Sequence, residues 1–345
     1  MRISAALPTG VAALLFESAR RRRGTEERLV ARLEAAGYGE VILPILDYLE
    51  PYESMLAAST RGELYRFVDR DGELLALRAD FTPMLARLLA PRLPSLELPL
   101  RLYYRGDVIR YQEERAGRAR EFYQVGAELL GLAGERAERE VLRLFLELAT
   151  AVVEGDGGLQ VVLGFAGALD DLLLAAGVEA PRLAAAVARR ERGEVRRAGS
   201  TLLAIVENGV PDRPEALGAA AAERLRALYD LRDELAAAFP GVLLSIDLAE
   251  FACNSLDPRL AGGDGDRPYY DGLVFHAYAG AAALPVGGGG RYDRLFRALG
   301  AEVPAVGFSL SLERLLEAAL SPSPGEGGWE GTGEGAGGEG MEVRV

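Results

Sequence analysis

The chain has 345 residues, 49% of them hydrophobic and 26% charged, with a net charge of −13. That length allows two domains, or one large domain with an insertion, and the acidic balance speaks against a protein whose main task is gripping nucleic acid. All 39 basic residues are arginine, and there is one His and one Cys, which excludes a Schiff-base lysine, a P-loop, a zinc finger and an internal disulfide.

A lone Cys fits a reducing cytoplasm. No run approaches the roughly 18 apolar residues of a membrane span. The first apolar stretch precedes its Arg run, the reverse of a signal peptide. A cytoplasmic protein is expected.

Residues 11–36 predict a helix broken at Gly24, with Leu29 and Leu33 one turn apart and Gly37 as its C-cap. Arg20–Arg23 suits a solvated helix face. Tyr38 to Leu46 predicts an apolar strand interrupted by Pro44, which cannot donate to a ladder and so belongs at an edge or interface. Residues 97–131 predict a long antiparallel hairpin. "ELPLRLYYRGDVIRY" alternates, "QEERAGRA" is a polar loop, and "REFYQVGAELLG" alternates again. Period two puts Phe122, Gln124, Gly126 and Glu128 on one face. Polar residues beside a glycine suit the floor of a polar pocket or a solvated sheet face.

Residues 135–152 predict an amphipathic helix. From about 164 to 240, Ala, Leu and Arg recur with helical period, interrupted near Asn208–Pro214, which predicts a helical insertion. Strands resume at "GVLLSIDLAEF" and "PYYDGLVFHAYA". "PVGGGGRYDRL" follows, then "PAVGFSLSLERLLEAAL", which turns from strand to helix near Ser309. Glycines 287–290 lack the ending of a P-loop; they let backbone approach a ligand or a neighbouring strand. Cys253 is expected to be buried and inert, and His276 to be a hydrogen-bonded structural residue. Beyond Ser321, Gly and Glu dominate and predict a disordered tail over 321–345.

Four stretches, in order over roughly residues 5–320, make the chain resemble the class II aminoacyl-tRNA synthetase catalytic domain of the histidyl type. "GYGEVILPILDYLEPYE" is similar to motif 1, whose proline, here Pro44, lies at a dimer interface. "YYRGDVIRYQEERAGRAREFYQVGAELLG" is similar to motif 2. "YYDGLVFHAY" with "GGGGRYDRL" resembles the histidine-recognition segments, and "PAVGFSLSLERL" resembles motif 3. The resemblance implies an α+β fold over residues 1–320, with a six- or seven-stranded, mostly antiparallel sheet flanked by helices and a helical insertion near 165–240. It implies a histidine-like pocket from Asp80, Thr82, Gln124, Glu128, Tyr269 and Tyr270. Arg110 and Arg314 match the arginines that pair with phosphates, for which a planar fork is suited.

Three departures separate the chain from an active synthetase of this type. Gly265 stands where "R-G-x-D-Y-Y" sequences carry an arginine, and Arg267 lies two residues away. A preorganised cation at a developing charge is typically worth about 10²–10³ in rate. The motif 2 "R-x-E" reads Arg110-Tyr111-Gln112, followed by Glu113 and Glu114, whose charges oppose ATP and RNA. After motif 3 the Gly/Glu tail stands where an anticodon-binding domain is expected. These departures, with the "D-F-T" form at 80–82 in place of "E-G-T", resemble the paralogous family of ATP phosphoribosyltransferase regulatory subunits. That resemblance implies a non-catalytic subunit without cofactor or metal. It would activate the short-form transferase in the first step of histidine biosynthesis and help transmit histidine feedback. Its expected partners are a second copy, through motif 1, and the catalytic subunit in a hetero-octamer, with histidine as a candidate ligand and neither nucleic acid nor membrane. The alternative is an active histidyl-tRNA synthetase or another class II amino-acid-activating enzyme.

Overall fold

The computed structural model of the chain describes residues 6–55, 61–111, 119–153, 158–254, 269–280 and 284–320. Gln112, Glu113, Glu114, Gly265, Arg267 and the tail over 321–345 lie outside the described residues. No described helix is long and apolar enough to cross a membrane.

Helix α1 (Phe16–Ala35) begins later than the periodicity predicts and runs through Gly24 without a break. A glycine inside a helix costs about 1 kcal/mol. Here the next turns offset it by burying Thr25, Glu26, Leu29 and Leu33. The helix closes as expected at Gly37, whose φ of +84° lets Tyr38 N–H reach the Leu33 carbonyl at 3.0 Å. The buried Glu26 carboxylate accepts from Arg105 at 2.7 Å and from the Tyr123 hydroxyl at 2.7 Å, fastening α1 to the hairpin.

The segment around Pro44 is not one strand. It gives β1 (Gly39–Glu40) and β2 (Leu46–Tyr48) with irregular backbone between them. Strand β2 joins β3 (Arg66–Val68) and β4 (Leu74–Leu77) in a small antiparallel sheet, order β2-β4-β3. Between β2 and β3 lies helix α2 (Leu49–Met55). Helix α3 (Thr82–Leu89) follows β4.

The predicted hairpin forms as β5 (Leu100–Ile109) and β6 (Glu121–Leu130), paired along ten positions. Helix α4 (Glu135–Thr150) covers one face of the main sheet. Its Phe145 meets Phe275 and Phe308 edge-on at 5.0 and 5.4 Å. After β7 (Gln160–Phe165) come helices α5 (Asp170–Leu174), α6 (Ala180–Ala188), α7 (Arg192–Ala198), α8 (Ser200–Asn208) and α9 (Ala219–Ala238). The chain returns through β8 (Leu243–Ile246), β9 (Leu273–Tyr278), β10 (Gly287–Arg291), α10 (Asp293–Ala298), β11 (Ala305–Ser311) and α11 (Leu312–Leu320).

The main sheet has eight strands among the described residues, in the order β1-β5-β6-β11-β10-β9-β7-β8. This corrects the expected six or seven. The extra strands are short edge pieces, and both pair in parallel: β1 on β5 and β8 on β7. The interior pairs are antiparallel, as expected. The glycine run is a strand near the centre of this sheet, close-packed against its neighbours.

A charge triad centred on a buried glutamate ties α9 to the sheet. Glu138 of α4 accepts from Arg224 of α9 at 2.6 Å and from Arg291 of β10 at 2.8 Å. With Glu138 3% exposed and Arg291 8% exposed, the pairing offsets a desolvation cost neither could bear alone. Cys253 is exposed, contrary to expectation. It follows Phe251 and Ala252, which point inward and leave the next position facing out.

Candidate functional site

The floor of the site is the face of β6 that alternation singled out. Glu128 is buried on that face. Its Oε1 accepts from Thr82 Oγ1 at 2.7 Å and from the Tyr104 hydroxyl at 3.4 Å, and its Oε2 accepts from the Tyr292 hydroxyl. Loss of water around the carboxyl pushes its pKa up to about 8, against the lowering effect of those three hydroxyl donors. Space for the carboxylate comes from Gly307 on the neighbouring strand, where a Cβ would lie 1.5 Å from Glu128 Oε2.

Gly307→Ala is therefore expected to destabilise the fold by about 1–3 kcal/mol through overpacking. The Ala127 carbonyl, 2.6 Å from the new methyl position, blocks relaxation along the strand. Urea unfolding measures this; an unchanged midpoint would mean that the carboxylate can rotate away freely.

The second wall is the "D-F-T" turn entering α3. Asp80 Oδ1 accepts from the Thr82 N–H at 3.0 Å, which pins the turn and aims Thr82 at Glu128. Burial pushes the Asp80 carboxyl up, opposed by Arg110 at 3.5 Å. Arg110 also donates to the Ala79 carbonyl at 2.8 Å. Its guanidinium and that of Arg314 both face the ring of Phe122, at 5.5 and 5.9 Å from the ring centre. Folding thus brings two arginines that lie far apart in the sequence to one place. Arg314 further donates to the Pro285 carbonyl at 2.8 Å.

Tyr269 and Tyr270 close the site. Their rings meet edge-on at 4.8 Å, and Tyr269 leans on Tyr292 at 5.6 Å. Together with Asp80, Thr82, Tyr104, Glu128 and Tyr292 they line a cavity of about 50 Å³ over the backbone of Gly288, Gly289 and Gly307. That volume accommodates one or two waters.

Five of the six residues expected in the pocket therefore surround one cavity: Asp80, Thr82, Glu128, Tyr269 and Tyr270. Gln124 does not line it. It shares the face of Glu128, but between them the Tyr104 ring lies over Gly126, 2.4 Å from where a Cβ would be, and Phe81 stacks on that ring at 4.3 Å. Tyr104 and Tyr292 are pocket residues that alternation on β6 alone misses. A glycine at 126 facing a tyrosine across the hairpin is the signal that would have found Tyr104. Pro44 is exposed, and its carbonyl accepts from Arg78 at 3.0 Å.

Chemically, a buried carboxyl group and a partly exposed one beside tyrosine hydroxyls suit an ammonium or imidazolium group. None of the described residues lining the cavity is cationic.

A histidyl-tRNA synthetase family model matches residues 10–315. An ATP phosphoribosyltransferase regulatory subunit from Moorella thermoacetica is 38% identical, over 92% of this chain and 83% of that one. A histidine–tRNA ligase from Pyrobaculum islandicum is 35% identical, over 86% of this chain and 70% of that one. Among solved structures, an ATP phosphoribosyltransferase regulatory subunit/histidyl-tRNA synthetase from Bacillus halodurans shares the fold, with a TM-score of 0.76 at 24% identity over 93% of this chain and 85% of that one. The cavity over β6, the class II-like sheet and these matches agree, and the chain belongs to the histidyl-tRNA synthetase-like family that includes the regulatory subunits of ATP phosphoribosyltransferase.

Proposed function

We propose that the chain is a non-catalytic regulatory subunit of ATP phosphoribosyltransferase. It activates the short-form catalytic subunit and helps transmit histidine feedback in the first step of histidine biosynthesis, a cytoplasmic process. The observation that carries this reading is an acidic, tyrosine-walled cavity suited to the cationic group of an amino acid, in a chain whose sequence lacks the adenylate-stabilising arginine. Asp80, Thr82, Glu128, Tyr269 and Tyr270 surround the cavity, while Phe81 replaces the glycine of the synthetases' "E-G-T" and fills the neighbouring space by stacking on Tyr104. In the sequence, Gly265 stands where those enzymes carry the arginine that stabilises adenylate formation.

The reading includes a homodimer through the Pro44 region. Ile42 is 87% exposed there, and Ile45, Leu46 and Tyr48 are exposed beside it, an apolar patch that a second copy would cover. Two such dimers with catalytic dimers would form the hetero-octamer. Activation requires tighter binding to the active transferase conformation than to the inactive one. A coupling of about 1–3 kcal/mol changes the populations roughly 5- to 150-fold.

Mixing this chain with the short-form transferase subunit of the same organism tests the proposal. Phosphoribosyl-ATP formation is expected to rise several-fold on mixing and to fall when histidine is added. No change in turnover, together with histidine-dependent ATP–pyrophosphate exchange by this chain alone, would overturn it. The 35% identity to a histidine–tRNA ligase makes that outcome the specific alternative.

A further inference from the structure

The cavity has an acidic end and no cation among its described lining residues. An amino acid held there by its ammonium or imidazolium group still needs a donor for its carboxylate. On β9, one strand beyond the cavity floor, stands the chain's single histidine.

His276 pairs across the ladder with Gly288, which is part of the floor. A Cβ on Gly288 would lie 3.0 Å from His276 Cδ2, so the Cδ2 edge of the imidazole leans over the floor. The other edge is held from outside. Nδ1 is 2.6 Å from Glu250 Oε1, which also accepts from the Tyr278 hydroxyl at 2.9 Å, and the Phe251 ring centre lies 5.0 Å from the imidazole. With Nδ1–H donated to Glu250, the nitrogen with no partner among the described residues is Nε2, bonded to the Cδ2 that reaches Gly288 at the edge of the cavity. The ring is partly exposed, with 36% of its side-chain surface accessible. Protonation makes Nε2 a donor whose charge Glu250 already balances.

The spacing suits a free amino acid. The Glu128 carboxylate sits over Gly307 of β11, and the Cδ2 edge of the imidazole reaches toward Gly288 of β10. These strands are adjacent, and Gly288 pairs with Ser309, two residues from Gly307. A strand spacing of about 4.8 Å and a two-residue offset of about 6.8 Å put the positions above Gly307 and Gly288 about 8 Å apart, and the imidazole edge lies a further 3.0 Å from the second of them.

We propose that His276, oriented by Glu250 and Tyr278, is the carboxylate anchor of the pocket: its Nε2–H binds the carboxylate of a free amino acid whose cationic group lies at Asp80 and Glu128. The inference rests on the reading of the cavity as an amino-acid site.

Calorimetric titration of the full chain with histidine and with histamine, which lacks the carboxylate, tests it. The wild-type chain is expected to bind histidine more tightly than histamine. His276→Ala should weaken histidine at least about tenfold, the scale of a charge-assisted hydrogen bond, and leave histamine unchanged. His276→Gln, which retains an N–H donor, should recover part of the loss. Unchanged histamine affinity also shows that the variant is folded. Equal loss for both ligands, or no loss for histidine, overturns the anchor while the amino-acid reading of the pocket stands. A wild-type chain that binds neither ligand overturns both.

Discussion

Arg78→Met is expected to lower the unfolding free energy by at least about 3 kcal/mol. Arg78 is 5% exposed, and its guanidinium donates to four acceptor contacts on three carbonyls: Leu43 at 2.7 Å, Pro44 at 3.0 Å, and Asp107 at 2.7 and 3.1 Å. It also lies 3.9 Å from the centre of the Phe81 ring. The side chain therefore joins the Pro44 segment, the β5–β6 hairpin and the turn that carries Asp80 and Thr82. Burial lowers its pKa, the signature of a cation taken out of water. Methionine keeps the apolar stem and removes the charged donor from those partly buried carbonyls, a hydrogen bond to a charged group being worth about 1.5–3 kcal/mol. Urea unfolding monitored by circular dichroism gives the value. A loss below about 1 kcal/mol would mean that water reaches the carbonyls and that the clamp is not what joins the three segments.

The second large effect is a change in pH dependence. The pKa of Glu128 rises from 4.5 to about 8 on folding, because burial penalises its charge. A raised carboxyl pKa stabilises the fold fully below pH 4.5, and this contribution is lost as the pH rises through 8. At about 1.36 kcal/mol per unit, the group removes on the order of 4–5 kcal/mol of stability between those limits. Glu128→Gln has no such proton to lose, so its stability relative to the wild type should grow from pH 5 to pH 8.5. Parallel stability curves for the two proteins across that window would show that Glu128 is already ionised in the fold. The same pKa has a consequence for binding. A cationic ligand that pairs with Glu128 at pH 7 expels its proton, so the heat of histidine binding should depend on the ionisation enthalpy of the buffer.

Much of this architecture was legible in the linear pattern. The i, i+4 pair Leu29 and Leu33, the alternation on both sides of the polar stretch 112–119, and the switch from period two to period 3.6 after β11 each report one buried face, and a buried face leaves its period in the sequence. The motifs then placed Asp80, Thr82, Glu128, Tyr269 and Tyr270 in one site, and the structure brings them around one cavity.

Periodicity states that a face is covered and is silent about what covers it. Gln124 and Glu128 carry the same signal, and only the stack of Phe81 on Tyr104 over Gly126 separates them. Gly24 looks like a breaker until the surrounding turns of α1 bury their side chains. The two short parallel edge strands owe their existence to β5 and β7, which lie far away in the chain. The partners of His276 and Glu138 likewise arrive from elements 26 to 153 residues distant. Local propensity and pattern decided which residues turn inward. The pairing register and the chain crossovers decided which of them meet, because those contacts depend on the position of every intervening element.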